Sequence, residues 1–154
     1  MSNTKEEQYK TIVNQMDAIW DSSIQLTGNL SNVTALIKQE FNFWWVGFYF
    51  VNANEFLELG PFQGPVACTL IPFGKGVCGK SWSTKETIIV PNVHLFEGHI
   101  ACSSVSNSEI VVPIIKNNLV LGVLDIDSEL YDTFDTVDKL YLQKICDYIS
   151  QKMA

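Results

Sequence analysis

Tyr9, Ile12, Val13, Met16, Ile19 and Trp20 recur at intervals of three and four, so Glu6 to Trp20 reads as an amphipathic helix with one buried stripe. A second, shorter helix is expected from Val33 to about Phe41, with Ser31 or Asn32 available to cap it. The period then changes. Phe43 to Val51 is dense in aromatics and Val, and Asn52-Ala53-Asn54 turns it into Glu55 to Leu59, the pattern of a hairpin. Val66 to Phe73 reads as a third strand, Gly74-Lys75-Gly76 as a turn and Val77 to Thr84 as a short helix. Thr87 to Val90 is a further strand, ended by Pro91. His94 to Ser108 shows no period and reads as a long loop, a feature that in a compact domain tends to carry function.

Glu109 to Lys116 and Leu119 to Ile126 form a second hairpin across Asn117-Asn118, a pair that tolerates positive φ. Asp135 or Thr136 caps a last helix to about Lys152, with Val137, Tyr141, Ile145 and Ile149 on one stripe. Hairpins dominate and strands do not alternate regularly with helices. The expected fold class is therefore α+β, a mainly antiparallel central sheet flanked by helices on one face. At 154 residues, with no linker, repeat or low-complexity tract, residues 1–154 read as a single domain.

Composition narrows the partners. The chain is 47% hydrophobic and 18% charged, as for a soluble globular protein. Residues 1–7 lack the basic start and apolar core of a signal peptide, and the longest apolar run, Phe41 to Val51, is too short to span a bilayer. The expected location is cytoplasmic, where thiols are kept reduced, so the four cysteines point to chemistry or packing rather than staples. All ten basic residues are Lys and the net charge is −7, which argues against nucleic acid and anionic membrane as partners. Without Arg the chain lacks the usual bidentate clamp for phosphate. A zwitterion suits an acidic pocket through its ammonium group; a nucleotide does not.

Three cysteines stand apart from periodic apolar segments. Cys68 follows Gly60-Pro61-Phe62-Gln63-Gly64-Pro65, Cys78 lies within Gly74-Lys75-Gly76-Val77-Cys78-Gly79, and Cys102 follows Gly98-His99-Ile100-Ala101. Glycine-flanked, partly exposed thiols near backbone N–H groups are the settings in which a thiolate reacts, and three of them suggest one attacking and one resolving cysteine. A helix start at Cys78 is expected to lower its pKa. The alternative for each is packing: Cys68 beside Ala67 and Leu70, Cys102 as a small buried loop residue. Cys146 falls on the stripe Leu142, Cys146, Ile149, Met153 and reads as core.

Asp125 interrupts the apolar run Val120 to Ile126, a costly place for an acid unless it is solvated, paired or protonated. Glu109 and Asp127 sit in the same hairpin region, near strand ends, where accepting backbone hydrogen bonds is the plain alternative. Trp45 and Tyr49 share one strand face and read as core, with Trp44 on the other face. His94 and His99, with the three cysteines, are candidate zinc ligands, but no Cys-x-x-Cys or His-x-x-x-His pair is present and no metal or other cofactor is expected. Gly74-x-Gly76-x-x-Gly79 matches a dinucleotide fingerprint without its parallel βαβ setting.

Taken in order, GPFQGPVACTLIPFGKGVCGKS, VHLFEGHIACSS, SNSEIVVPI and LGVLDIDS resemble the free methionine-(R)-sulfoxide reductases, which are built on a GAF-type domain. The resemblance runs from about Trp44 to the C-terminus. It implies a GAF-like fold and reduction of free L-methionine (R)-sulfoxide. Cys102 would be the attacking cysteine, Cys68 the principal resolving cysteine and Cys78 a second resolver. Ser103 departs from the acidic residue often found there. Glu109, Asp125 and Asp127 would hold the substrate ammonium and protonate the sulfoxide oxygen, and Trp45 and Tyr49 would wall a pocket for its methyl and thioether. Thioredoxin would be the reductant, and a homodimer is compatible with the reading. The rival functions are a ligand-sensing GAF module and a thiol redox sensor that forms the same disulfide without turnover.

Overall fold

The computed structural model describes residues 3–100, 102 and 104–154. Helix α1 spans Lys5–Ile19 and opens on a reciprocal cap, with Thr4 and Glu7 each bonding the other's backbone N–H. Helix α2 runs Leu26–Phe41 and begins seven residues before the expected Val33. Neither Ser31 nor Asn32 caps it; the N-cap position is Gln25, without a side-chain bond. The extra turns contain Gly28 and Asn29, weak helix formers that read as a turn. Asn29 is held within the helix by two bonds to the Asp21 backbone, of 3.0 and 2.8 Å. With that amide satisfied, burial of Leu30, Val33 and Ile37 decides the conformation.

Strands β1 (Trp45–Val51), β2 (Phe56–Gln63), β3 (Leu70–Pro72), β4 (Ile88–Val90), β5 (Ser108–Lys116) and β6 (Leu119–Ser128) form one sheet in the order β3-β2-β1-β6-β5-β4. Every pairing is antiparallel. Strand β2 extends past Leu59 because the register shifts between the pairs Tyr49–Leu59 and Gly47–Phe62, and Gly60-Pro61 falls in that bulge. Strand β3 is much shorter than expected, three residues facing Phe56 to Glu58. Residues 64–69, including Cys68, are therefore loop rather than strand. Asn117 and Asn118 adopt φ of 52° and 63° at the β5–β6 turn, as the hairpin reading requires.

Helices α1, α2 and α4 (Thr136–Lys152) pack on one face of the sheet against Val46, Phe48, Ile110, Val112, Leu124 and Ile126. Asp135 caps α4, and Cys146 lies in this core with 1% exposure. The opposite face is not bare, as helices on one face alone would leave it. Helix α3 (Gly76–Thr84) and the segment around Val93 cover it, packing Val77 and Cys78 against Tyr49, Val111 and Val123. Among the described residues no helix is long and apolar enough to cross a membrane.

Candidate active site

Strand alternation and register assemble the site on the α3 face. Trp45 pairs with Asp127, and Asp127 on its other side with Glu109, so these three side chains form one row across three strands. The next row is Gly47, Asp125 and Val111. Because residues two apart share a face, Tyr49 and Asp125 join the same surface. Gly47 is required there: a Cβ at that position would overlap the Trp45 indole and the Phe62 side chain. The indole lies across the gap, stacked on Phe62 with ring centres 5.2 Å apart and donating from Nε1 to Pro65 O at 3.0 Å. Tyr49 donates its hydroxyl to Cys68 O at 2.8 Å, tying the strand to the cysteine loop.

A cavity of about 60 Å³ opens over these rows. Its aromatic wall is Trp45 and Tyr49, its floor Cys78 and the three acids, and Cys102 stands at its edge. Trp44 also lines it, contrary to the expectation that it faces away. Strand β1 begins at Trp45, so Trp44 precedes the regular pleat and escapes its alternation. Cys68 and Cys102 are joined in a disulfide with their Cα atoms 5.6 Å apart, the pair that the resemblance implies. Cys102 is exposed and Cys68 half-buried. Cys78 is a free thiol. Ser103 lies outside the described residues.

Glu109 and Asp125 are 5% and 6% exposed, deep enough that desolvation governs their charge. Burial, and then the neighbouring Asp125 and Asp127 charges, push the Glu109 carboxyl well above the usual range. Burial and the Asp125 charge do the same to Asp127. Asp125 is raised by burial, against hydrogen bonds from Glu109, Cys78 and Asp127 that favour its charged form. All three acids are shifted towards their protonated forms, Glu109 and Asp127 most strongly, and Asp125 accepts hydrogen bonds from its neighbours. Cys78 reverses its expectation. It lies in the first turn of α3, but full burial and the adjacent Asp125 and Glu109 push its thiol well above the ordinary value. Desolvation together with the neighbouring acids outweighs the attraction of one helix terminus.

Two neighbours were not assigned to the site from sequence. Ser106 donates to Asp127 Oδ1 at 3.3 Å, and His99 Nε2 lies 3.8 Å from Glu109 Oε1. Burial, with His94 nearby, lowers the His99 pKa, so it approaches the acids mainly as neutral imidazole. His99 stood out as a loop histidine before Cys102; Ser106 gave no signal, because a serine in a serine-rich loop has no distinguishing pattern. The glycine fingerprint at the start of α3 follows an antiparallel strand, which is not the dinucleotide arrangement.

A family model described as "GAF domain" matches residues 25–153. The free methionine-R-sulfoxide reductase of Saccharomyces cerevisiae is 46% identical over 155 residues, covering 96% of this chain and 86% of its own. The chain belongs to the free methionine-R-sulfoxide reductase family of GAF-domain proteins. Another relative, GAF domain-containing protein A of Dictyostelium discoideum, is 50% identical over 142 residues, covering 92% of this chain and 90% of its own. The structure of the Neisseria meningitidis free methionine-R-sulfoxide reductase, in complex with its substrate, superposes with a TM-score of 0.94. It is 41% identical, with 99% of this chain and 92% of that one covered. The expected GAF-like α+β fold is thereby established.

Proposed function

We propose that this protein reduces free L-methionine (R)-sulfoxide to methionine, with residues 1–154 acting as one catalytic domain in the cytoplasm. The observation that carries the proposal is a disulfide, Cys68–Cys102, at the edge of a pocket lined by aromatic side chains and three clustered acids, Glu109, Asp125 and Asp127. The substrate ammonium sits against the carboxylates, where the chain offers no competing Lys ion pair among the described residues. The methyl and thioether lie against Trp45 and Tyr49, contacts that sulfur favours.

With the disulfide reduced, the Cys102 thiolate attacks the sulfoxide sulfur. Glu109, or Asp127 paired with it across the strands, delivers a proton to the sulfoxide oxygen, leaving a hydroxyl on the substrate sulfur. An acid whose pKa is raised by burial is the group suited to that transfer. The hydroxyl so formed passes from the substrate sulfur to Cys102 Sγ as the sulfur–oxygen bond and the new sulfur–sulfur bond break, so methionine leaves as the thioether and the oxygen remains on Cys102 as a sulfenic acid. Cys68 then displaces that oxygen as water and forms the disulfide, oxidising two thiols for each sulfoxide reduced. An external dithiol such as thioredoxin returns the pair to thiols, and the exposure of Cys102 gives it access.

The test follows methionine release from free methionine sulfoxide with dithiothreitol. The wild type should turn over and Cys102→Ser should not, because a serine hydroxyl is not ionised near neutral pH. No methionine from the wild type, or turnover above the uncatalysed rate in Cys102→Ser, would sink the proposal.

A further inference from the structure

Cys78 takes no part in the disulfide, yet it meets the acids on the floor of the same pocket. Its Sγ, one oxygen of Glu109 and one of Asp125 all lie within 4.8 Å of one another, and all three residues are buried. They come from α3, β5 and β6, so no spacing in the sequence announces them. Asp125 Oδ1 is buried and receives no hydrogen bond from an amide, hydroxyl or amine. The groups beside Asp125, namely the Cys78 thiol and the Glu109 and Asp127 carboxyls, can donate to it only while they hold a proton. Among the described residues the nearest cation partner is His99, 3.8 Å from Glu109 and shifted towards its neutral form.

We propose that Cys78, Glu109 and Asp125 form a binding site for a borderline-soft divalent cation of the zinc class, shared with the substrate ammonium. One thiolate and two carboxylates carry three negative charges against the two of the cation. The sulfur donor selects zinc-like ions over magnesium and calcium, which take all-oxygen shells. Ligands around a tetrahedral zinc stand about 3.4 Å apart, given metal–sulfur bonds of about 2.3 Å and metal–oxygen bonds of about 2.1 Å. From separations of at most 4.8 Å the cluster needs to contract by no more than about 1.4 Å, within reach of χ rotations of the two acid side chains. A fourth ligand would be water or His99, whose Nε2 lies 3.8 Å from Glu109 Oε1. Binding displaces the protons held on the thiol and acids, so it strengthens as pH rises. The cation site needs neither Cys102 nor turnover. Only its competition with methionine sulfoxide rests on the reductase reading.

The experiment uses the oxidised protein, in which the Cys68–Cys102 disulfide removes a second pair of thiol ligands. Cadmium is titrated in and its sulfur-to-metal charge-transfer absorption followed. Wild type and Cys146→Ala should saturate near one equivalent. Cys78→Ser should lose the absorption, and Asp125→Asn, which keeps the thiol, should bind at least about tenfold more weakly, the loss seen even for an outer-shell partner. Free methionine sulfoxide, inert towards the disulfide form, should displace the metal. A wild type without saturable absorption overturns the site, as does absorption that survives in Cys78→Ser or is unchanged in Asp125→Asn. Absorption that persists in excess methionine sulfoxide overturns the sharing. Turnover without cadmium binding removes the cation site alone, and cadmium binding without turnover removes the reductase reading alone.

Discussion

Glu109 meets its two acid neighbours because strand pairing leaves it no choice: it faces Asp127 directly, and Asp125 lies diagonally across the same pair. Burial and those two charges raise its pKa in the folded chain, whereas the unfolded chain holds it near the ordinary value. The protonated form is the one favoured by folding. Its contribution to stability is complete below the unfolded pKa and is lost as pH rises through the folded one. Glu109→Gln keeps the shape and cannot ionise. Its melting temperature should fall less than that of the wild type as pH rises from the ordinary carboxyl range into the alkaline range, while its turnover drops at least about tenfold through loss of a proton donor. Equal alkaline slopes and equal turnover would shift both roles to Asp127. Asp125 was legible as an anomaly in the sequence because an acid inside an apolar run is costly. The cluster was not, since it depends on a register that only the paired strands define. Cys78 misled for a related reason: the helix start is written locally, and the desolvation that outweighs it is not.

At the scale of elements, α1 is fastened to the start of α4 through one buried carboxylate. Asp138 is fully buried, accepts from the Tyr9 hydroxyl at 2.5 Å and from Lys5 Nζ at 2.7 Å, and closes the α4 cap by accepting from Asp135 N at 2.8 Å. Asp138→Ala strands the buried Tyr9 hydroxyl, leaves Lys5 only Asp135 and the Thr133 carbonyl, and removes one half of the reciprocal cap. It should destabilise the fold by about 3 kcal/mol in a denaturant titration. Tyr9→Phe removes one donor, leaves Lys5 on the carboxylate and should cost about 1 kcal/mol. A Tyr9→Phe loss as large as that of Asp138→Ala would mean that the hydroxyl, not the ion pair, fastens α1. The stripes that build α1 and α4 were readable because they are periodic and capped. Helix α2 was read short because Gly28, Asn29, Ser31 and Asn32 have turn propensities that burial of Leu30 and Val33 overrides. Strand β3 falls short of the expected Val66 to Phe73 because only Phe56 to Glu58 of β2 pair with it, a register that its apolar residues do not announce.

The whole molecule places the two disulfide-bonded sulfurs on separate loops, one between β2 and β3 and one before β5, and brings them together beside a single pocket that Cys102 lines. The bond between them spans 34 residues, and in the chain-entropy model closing such a loop contributes about 4 kcal/mol. Each catalytic cycle would make and break that restraint, so the identity of the partner thiol matters to the fold as well as to the chemistry. By resemblance Cys78 was a second resolver. Its burial in the α3 floor and the upward push on its thiol make it a poor nucleophile towards a sulfenic acid on an exposed loop. Cys68→Ser should therefore release about one methionine per enzyme, because attack at sulfur requires only Cys102, and then stall with thioredoxin as donor. Adding Cys78→Ser should change the stalled rate little, in place of the rescue that two resolvers would give. Mass spectrometry after one turnover should find a trapped sulfenic acid on Cys102 in both variants and a Cys68–Cys102 bridge in the wild type. A Cys78–Cys102 bridge in Cys68→Ser, with recycling near the wild-type rate, would restore Cys78 as a resolver. It would also require α3 to move, because the thiol would have to leave its buried floor to reach Cys102.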